Sequence, residues 1–141
     1  MGEQILVPFD GSDPSREGLN YALDSFSDPD ITALYVISIP EGYWSAFETD
    51  PTDLPIYESA EEEGAGILDE AVEIAAEAGI DIDTQLATGA PADRIVDRAE
   101  VEDVDLIVIG SHGRKGVSHV LLGSVAEKVI QRASRPVLVA K

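Results

Sequence analysis

The strongest constraint in this sequence is an alternation: each short apolar or β-branched run is followed by a stretch with helical apolar spacing. Residues 4–8 (QILVP) make the first run. After FDGSDPS, the spacing of Leu19, Ala22, Leu23 and Phe26 predicts a helix over 14–26, capped by Ser12 or Asp13 and carrying Pro14 in its first turn. Residues 31–39 (ITALYVISI) are long enough only for a strand. Residues 56–78 predict a helix with Ile67, Leu68, Ala71, Val72, Ala75 and Ala76 on its apolar face, ended by Gly79. Residues 80–87 (IDIDTQLA) alternate, as a strand with one wet face near a sheet edge does. A short helix from Pro91 leads to DVDLIVIG, whose LIVI core is apolar on both faces and reads as a central strand. A helix over about 124–133 and a short strand over 136–140 (PVLVA) complete the chain.

The resulting order, β-α-β-α-β-α-β-α-β, predicts an α/β fold: an open parallel five-stranded sheet with right-handed crossovers and helices on both faces. A chain of 141 residues is enough for one such domain, spanning 1–141. With the two most apolar strands, 4–8 and 104–109, adjacent at the centre, the expected strand order is 3-2-1-4-5. Ligands in such sheets sit beyond the carboxyl ends of the strands, where the order reverses. The loops PFDGS and GSHGRKGVSHVLLGS (110–124) should therefore face one crevice. Residues 40–55, with three prolines, Tyr43, Trp44 and Phe47, predict a long loop packed on the protein's own surface or on a partner chain.

Charge narrows the partners. The net charge of −19 repels nucleic acid and anionic membrane, and no apolar run reaches the length of a membrane helix. The N-terminus lacks a secretory pattern, so the expected compartment is the cytoplasm, and an acidic surface with three lysines suits a halophilic source. The absence of cysteine excludes disulfides and thiolate metal sites. Residues 1–109 hold 27 acids and three arginines, whereas residues 110–141 hold six Lys or Arg and only Glu127. Such a local reversal suggests a bound anion; the alternative is a basic helix face paired with acids elsewhere in the fold.

The basic stretch carries its own spacing, Gly110-x-x-Gly113-x9-Gly123-Ser124. Glycines at a strand end let successive N–H groups line an anion, and Ser124-Val-Ala-Glu127 has the form of a capping box, whose helix start presents free N–H groups and a positive dipole end. A phosphate fits both ends. Arg114 and Lys115 could add charge or face solvent; Gly110 and Gly113 could make only a turn, and Ser124 only a cap. His112 and His119 lack the third ligand a metal site needs and read as loop polar contacts. Asp10 could reach a ribose hydroxyl or merely brace its turn. The spacing is neither a Walker A loop nor a G-x-G-x-x-G fingerprint.

The glycine pattern, set within IVIGSHGRKG…LLGSVAEKV…PVLV and preceded by ILVPFDGS, resembles the nucleotide-binding branch of the universal stress protein family, of the UspA type. The resemblance covers essentially the whole chain and implies a Rossmann-like, adenine nucleotide alpha-hydrolase-like fold with ATP, or another adenine nucleotide, across the crevice. It implies that Pro8, Phe9 and Asp10 border adenine and ribose, with backbone at Val36 meeting adenine and Ile109 packing nearby. Gly110, Ser111, His112, Gly113, Arg114, Lys115 and Gly116 would surround ribose and phosphates, and Gly123, Ser124, Val125 and Ala126 would hold the phosphate tail. Mg or Mn would accompany the phosphates. Position 126 is Ala where some members carry a hydroxyl residue. The resemblance also implies a homodimer through the C-terminal strand, 136–140, which as an open apolar edge invites pairing on physical grounds too. With no recognisable general base, the expectation is a nucleotide-responsive binding module; a slow ATP hydrolase and an interaction protein with an unused pocket are the alternatives.

Overall fold

The computed structural model describes residues 2–38, 55–111 and 123–140. The loop expected at 40–55 and the interior of the glycine-rich stretch, 112–122, lie almost wholly outside them. Strands β1 (Gln4–Pro8), β2 (Asp30–Ser38), β3 (Asp83–Gly89), β4 (Leu106–Gly110) and β5 (Val137–Ala140) form one parallel sheet in the order β3-β2-β1-β4-β5, as the alternation predicts. The helices between them are α1 (Asp13–Ser25), α2 (Pro55–Glu77), α3 (Pro91–Val101) and α4 (Ser124–Arg132).

Successive strand residues point to opposite faces, so the central strands feed two cores. Ile5 and Val7 of β1, Ile31 and Ala33 of β2 and Val108 of β4 pack under α1 and α2, joined by Leu19, Ala22, Leu68, Ala71 and Ala75. Leu6, Leu34, Ile107 and Ile109 point the other way, under Ala92, Ile95 and Ala99 of α3 and Ala126 and Val129 of α4. This is why β1 and β4 read as unbroken apolar runs.

Two expectations are corrected. On α2 the buried face is Gly64, Leu68, Ala71 and Ala75, with Ile67 and Ile74 at its margin; Val72 and Ala76 are exposed. Gly64 belongs there because a Cβ would lie 2.7 Å from Leu86 and 2.8 Å from Tyr35, so it marks the closest approach of α2 to the sheet. The alternating stretch 80–87 is also displaced: β3 is Asp83–Gly89, and Ile80 and Ile82 pack against the core on the way into it. As expected, β3 is an edge strand.

The sheet also divides the charge. Helices α1 and α2 carry eleven acids and one base, Arg16; α3 and α4 carry four of each. Arg16 bridges its own side of the partition, pairing with Asp13 at 3.1 Å and with Glu70 of α2. The Glu70 hydrogen bond, with the Asp13 charge nearby, raises the already high pKa of this guanidinium.

Candidate nucleotide site

The order reverses between β1 and β4, so the crevice lies at the ends of those two strands. At the β1 end, the Phe9 N–H donates to Leu34 O at 2.8 Å and extends the pairing with β2. The Phe9 side chain is only 1% exposed, in the core under α1 and α2, so this residue offers the crevice backbone and no ring. Asp10 is exposed, and its Oδ1 accepts from the Ser12 N–H at 3.0 Å and from the Ser12 hydroxyl. Gly11 turns the chain at φ +81°, and Ser12, not Asp13, caps α1. The bracing role open to Asp10 is thus realised, while among the described residues its Oδ2 accepts no hydrogen bond. Tyr35 stands near this turn; burial, then the charges of Glu63 and Asp10, raise its phenol pKa above the usual 10.0.

At the β4 end, Gly110 has a structural reason to be glycine. A Cβ there would lie 2.3 Å from the carbonyl oxygen of Pro14, so α1 seats its first turn directly on the strand end. This backbone packing is a reason for glycine at 110 that stands beside the expected approach of an anion. Beyond it, the Ser111 N–H donates to Ala140 O at 3.1 Å, and the Ser111 carbonyl accepts from the Gly123 N–H at 2.6 Å. One residue thereby joins β4, the end of β5 and the start of α4.

The capping box is not formed. Gly123 is the N-cap of α4, at φ −66° and ψ 157° with no side-chain cap, and Ser124 is the first helical residue, exposed. Glu127 N–H bonds to Gly123 O at 3.0 Å, the first bond of the helix. The N–H groups of Ser124, Val125 and Ala126 therefore precede any intrahelical acceptor and sit at the positive end of the dipole. Val125 packs against the core under α3 and α4, and Ala126 is 2% exposed within it, so these residues offer backbone only. A hydroxyl at position 126 would sit on a buried side chain rather than in the crevice.

Pro8 ends β1 half-buried, while Val36 and Ile109 join the core under α3 and α4. His112, Gly113, Arg114, Lys115, Gly116 and His119 lie outside the described residues. Part of the C-terminal positive charge is used in packing: Arg132 pairs with Asp93 of α3, and Arg135 with Asp103 at 2.7 Å and with Val104 O at 3.2 Å. Sequence reasoning missed both the Pro14–Gly110 contact and the Ser111 junction, because backbone contacts between distant segments leave no mark on residue type beyond the glycine itself.

Comparison with known proteins agrees with this architecture. Residues 1–141 match the family described as the Universal stress protein family. Universal stress protein MJ0531 of Methanocaldococcus jannaschii is 38% identical, the match covering 99% of this chain and 82% of that protein. Universal stress protein YxiE of Bacillus subtilis is 32% identical over the full length of both. Among solved structures, that of MJ0577 from Methanocaldococcus jannaschii superposes with a TM-score of 0.81 at 29% identity, covering 99% of this chain and 95% of that one. A universal stress protein solved in complex with cAMP superposes with a TM-score of 0.68 at 27% identity, covering 99% and 97%. The chain belongs to the universal stress protein family.

Proposed function

We propose that this chain is an adenine-nucleotide-binding member of its family, a regulatory module that responds to ATP rather than a fast enzyme. The observation that carries the reading is the Gly123–Ser111 hydrogen bond, which holds the N-terminus of α4 against the end of β4 at the reversal of strand order. Phosphates would be received by the N–H groups of Ser124, Val125 and Ala126, and by the backbone from Gly110 to Gly116, with Arg114 and Lys115 adding charge. Asp10 has a carboxylate oxygen to offer a ribose hydroxyl, and Pro8, Phe9, Val36 and Ile109 contribute backbone and apolar edges. The relative solved with cAMP supports an adenine nucleotide as ligand class. Among the described residues no three ligating side chains converge on a metal, so Mg or Mn would travel on the phosphates.

The reading includes one domain over 1–141, a cytoplasmic setting and a homodimer paired through residues 136–140. β5 suits pairing: Val137, Leu138 and Val139 are half-buried in the single chain and uncharged, whereas the other edge, β3, begins with an exposed Asp83. No helix among the described residues is long and apolar enough to cross a membrane. The packing role of Gly110 favours a second reading, an interaction protein whose glycines serve the fold.

Calorimetric titration with ATP and Mg in high KCl, against AMP and GTP, decides between them. Saturable binding that prefers adenine nucleotides is expected. No heat from a folded dimer would overturn the nucleotide reading in favour of the second.

A further inference from the structure

Ser15 is the one buried polar residue among those described, 6% exposed, and it stands at the turn that carries Asp10. Its hydroxyl donates to Ser12 O at 2.8 Å and accepts from the Asp10 N–H at 3.4 Å, while its own N–H donates to Ser12 Oγ at 3.3 Å. Ser12 closes the ring by giving both its N–H and its hydroxyl to Asp10 Oδ1. An Asp that only braced a turn would need the N–H bond alone. The added hydroxyl bond occupies the second acceptor position of Oδ1 and holds the carboxylate in one orientation, so that Oδ2 is the atom left to accept. The ring is itself anchored at the reversal of strand order, because Pro14, between the two serines, packs its carbonyl on Gly110.

We infer that Ser12 is a positioning residue for the sugar of the nucleotide: by locking Oδ1 of Asp10 it presents Oδ2 to a ribose hydroxyl, and so makes the site selective for ribonucleotides over their deoxy analogues. This rests on the nucleotide reading above and narrows its ligand class. An exposed carboxylate on a turn ordinarily gives up rotamer freedom when it binds, which offsets much of the gain from a hydrogen bond. With Oδ1 held before the ligand arrives, little freedom is left to lose, and a hydroxyl donating to Oδ2 keeps the strength of a bond to a charged acceptor. A sugar without that hydroxyl leaves Oδ2 facing it with no donor, so the site binds it less tightly.

The test is calorimetric titration of the full chain in high KCl with the Mg complexes of ATP, 2′-deoxy-ATP and 3′-deoxy-ATP, repeated in Ser12→Gly and Ser12→Thr. Glycine caps a helix nearly as well as serine, so Ser12→Gly removes the hydroxyl with the fold retained, and Ser12→Thr keeps one in place. The parent should bind at least one deoxy analogue about tenfold more weakly than ATP. Ser12→Gly should weaken ATP by about threefold or more and leave that analogue unchanged, so that the preference shrinks, while Ser12→Thr should retain it. A loss spread equally over all three nucleotides, or an unchanged preference in Ser12→Gly, overturns the positioning role and leaves Ser12 a helix cap. Equal binding of ATP and both analogues by the parent overturns the sugar contact of Asp10 while the nucleotide reading stands. Absence of ATP binding by the parent sinks that reading, and this inference with it.

Discussion

Two glycines of one motif should fail in different ways when replaced. Gly123 has φ −66° and ψ 157°, a conformation any residue adopts, so Gly123→Leu should leave the fold intact and block the helix terminus, abolishing ATP binding in calorimetry with little change in melting temperature. Gly110→Ala instead drives a Cβ to 2.3 Å from the Pro14 carbonyl, and should lower the melting temperature by about 5–15 °C through overpacking against backbone. A Gly110→Ala protein as stable as the parent would contradict the packing described. Tyr35 gives a pH test. Its phenol pKa is raised in the fold, chiefly by burial, so the folded state holds the proton more tightly than the unfolded chain. That contribution is complete below the unfolded value near 10.0 and is lost as pH rises through the folded one, so stability should fall more steeply above pH 10.0 than in Tyr35→Phe. Chemical unfolding across that range, with absorbance titration of the phenol, checks it. The sequence pattern exposed the glycines and their spacing; it did not tell a glycine that meets a helix backbone from one that frees a helix end.

At the level of elements, the cap of α1 is the simplest to probe. Ser12 accepts from the Ser15 N–H at 3.3 Å and also donates to Asp10, so Ser12→Ala should cost about 1 kcal/mol, whereas Ser12→Gly should cost only a few tenths. No loss in Ser12→Ala by thermal unfolding would show that the hydroxyl is not the stabilising group. The elements themselves were legible because a parallel sheet buried on both faces demands unbroken apolar runs, and β1 and β4 have them. Legibility failed where burial is partial. On α2, alanines stand on wet and dry sides alike, so Ala76 was indistinguishable from Ala75, and glycine at 64 carries no hydrophobic signal. Ile80 and Ile82 mimic strand alternation because they cover the core while entering β3. Ser124 and Glu127 have the capping-box spacing, yet the Ser111 bond fixes Gly123 as the cap one residue earlier.

The whole molecule carries −19 with almost all of its helix charge imbalance on one side of the sheet. Self-repulsion at that density opposes folding until salt screens it, at about 10 Å in 0.1 M and about 3 Å in 1 M. The unfolding midpoint should therefore rise substantially between about 0.1 M and 2 M KCl, and equal stability at both ends would remove the case for a halophilic protein. Overall architecture was fully readable in the order of segments; the division of charge was not, because it exists only once the crossovers have sent α1 and α2 to one face and α3 and α4 to the other.

That division also gives the molecule a direction. Eleven acids and one base on two helices, with a balanced pair of helices on the opposite face, make the helix charge asymmetric across the sheet. Were two copies to pair as proposed, in dilute salt the net charge of −19 on each would oppose their approach, least where the acidic helices are turned away from each other. In multimolar salt that force is gone within a few ångströms, so the rate of the proposed pairing would be a matter of contact geometry alone.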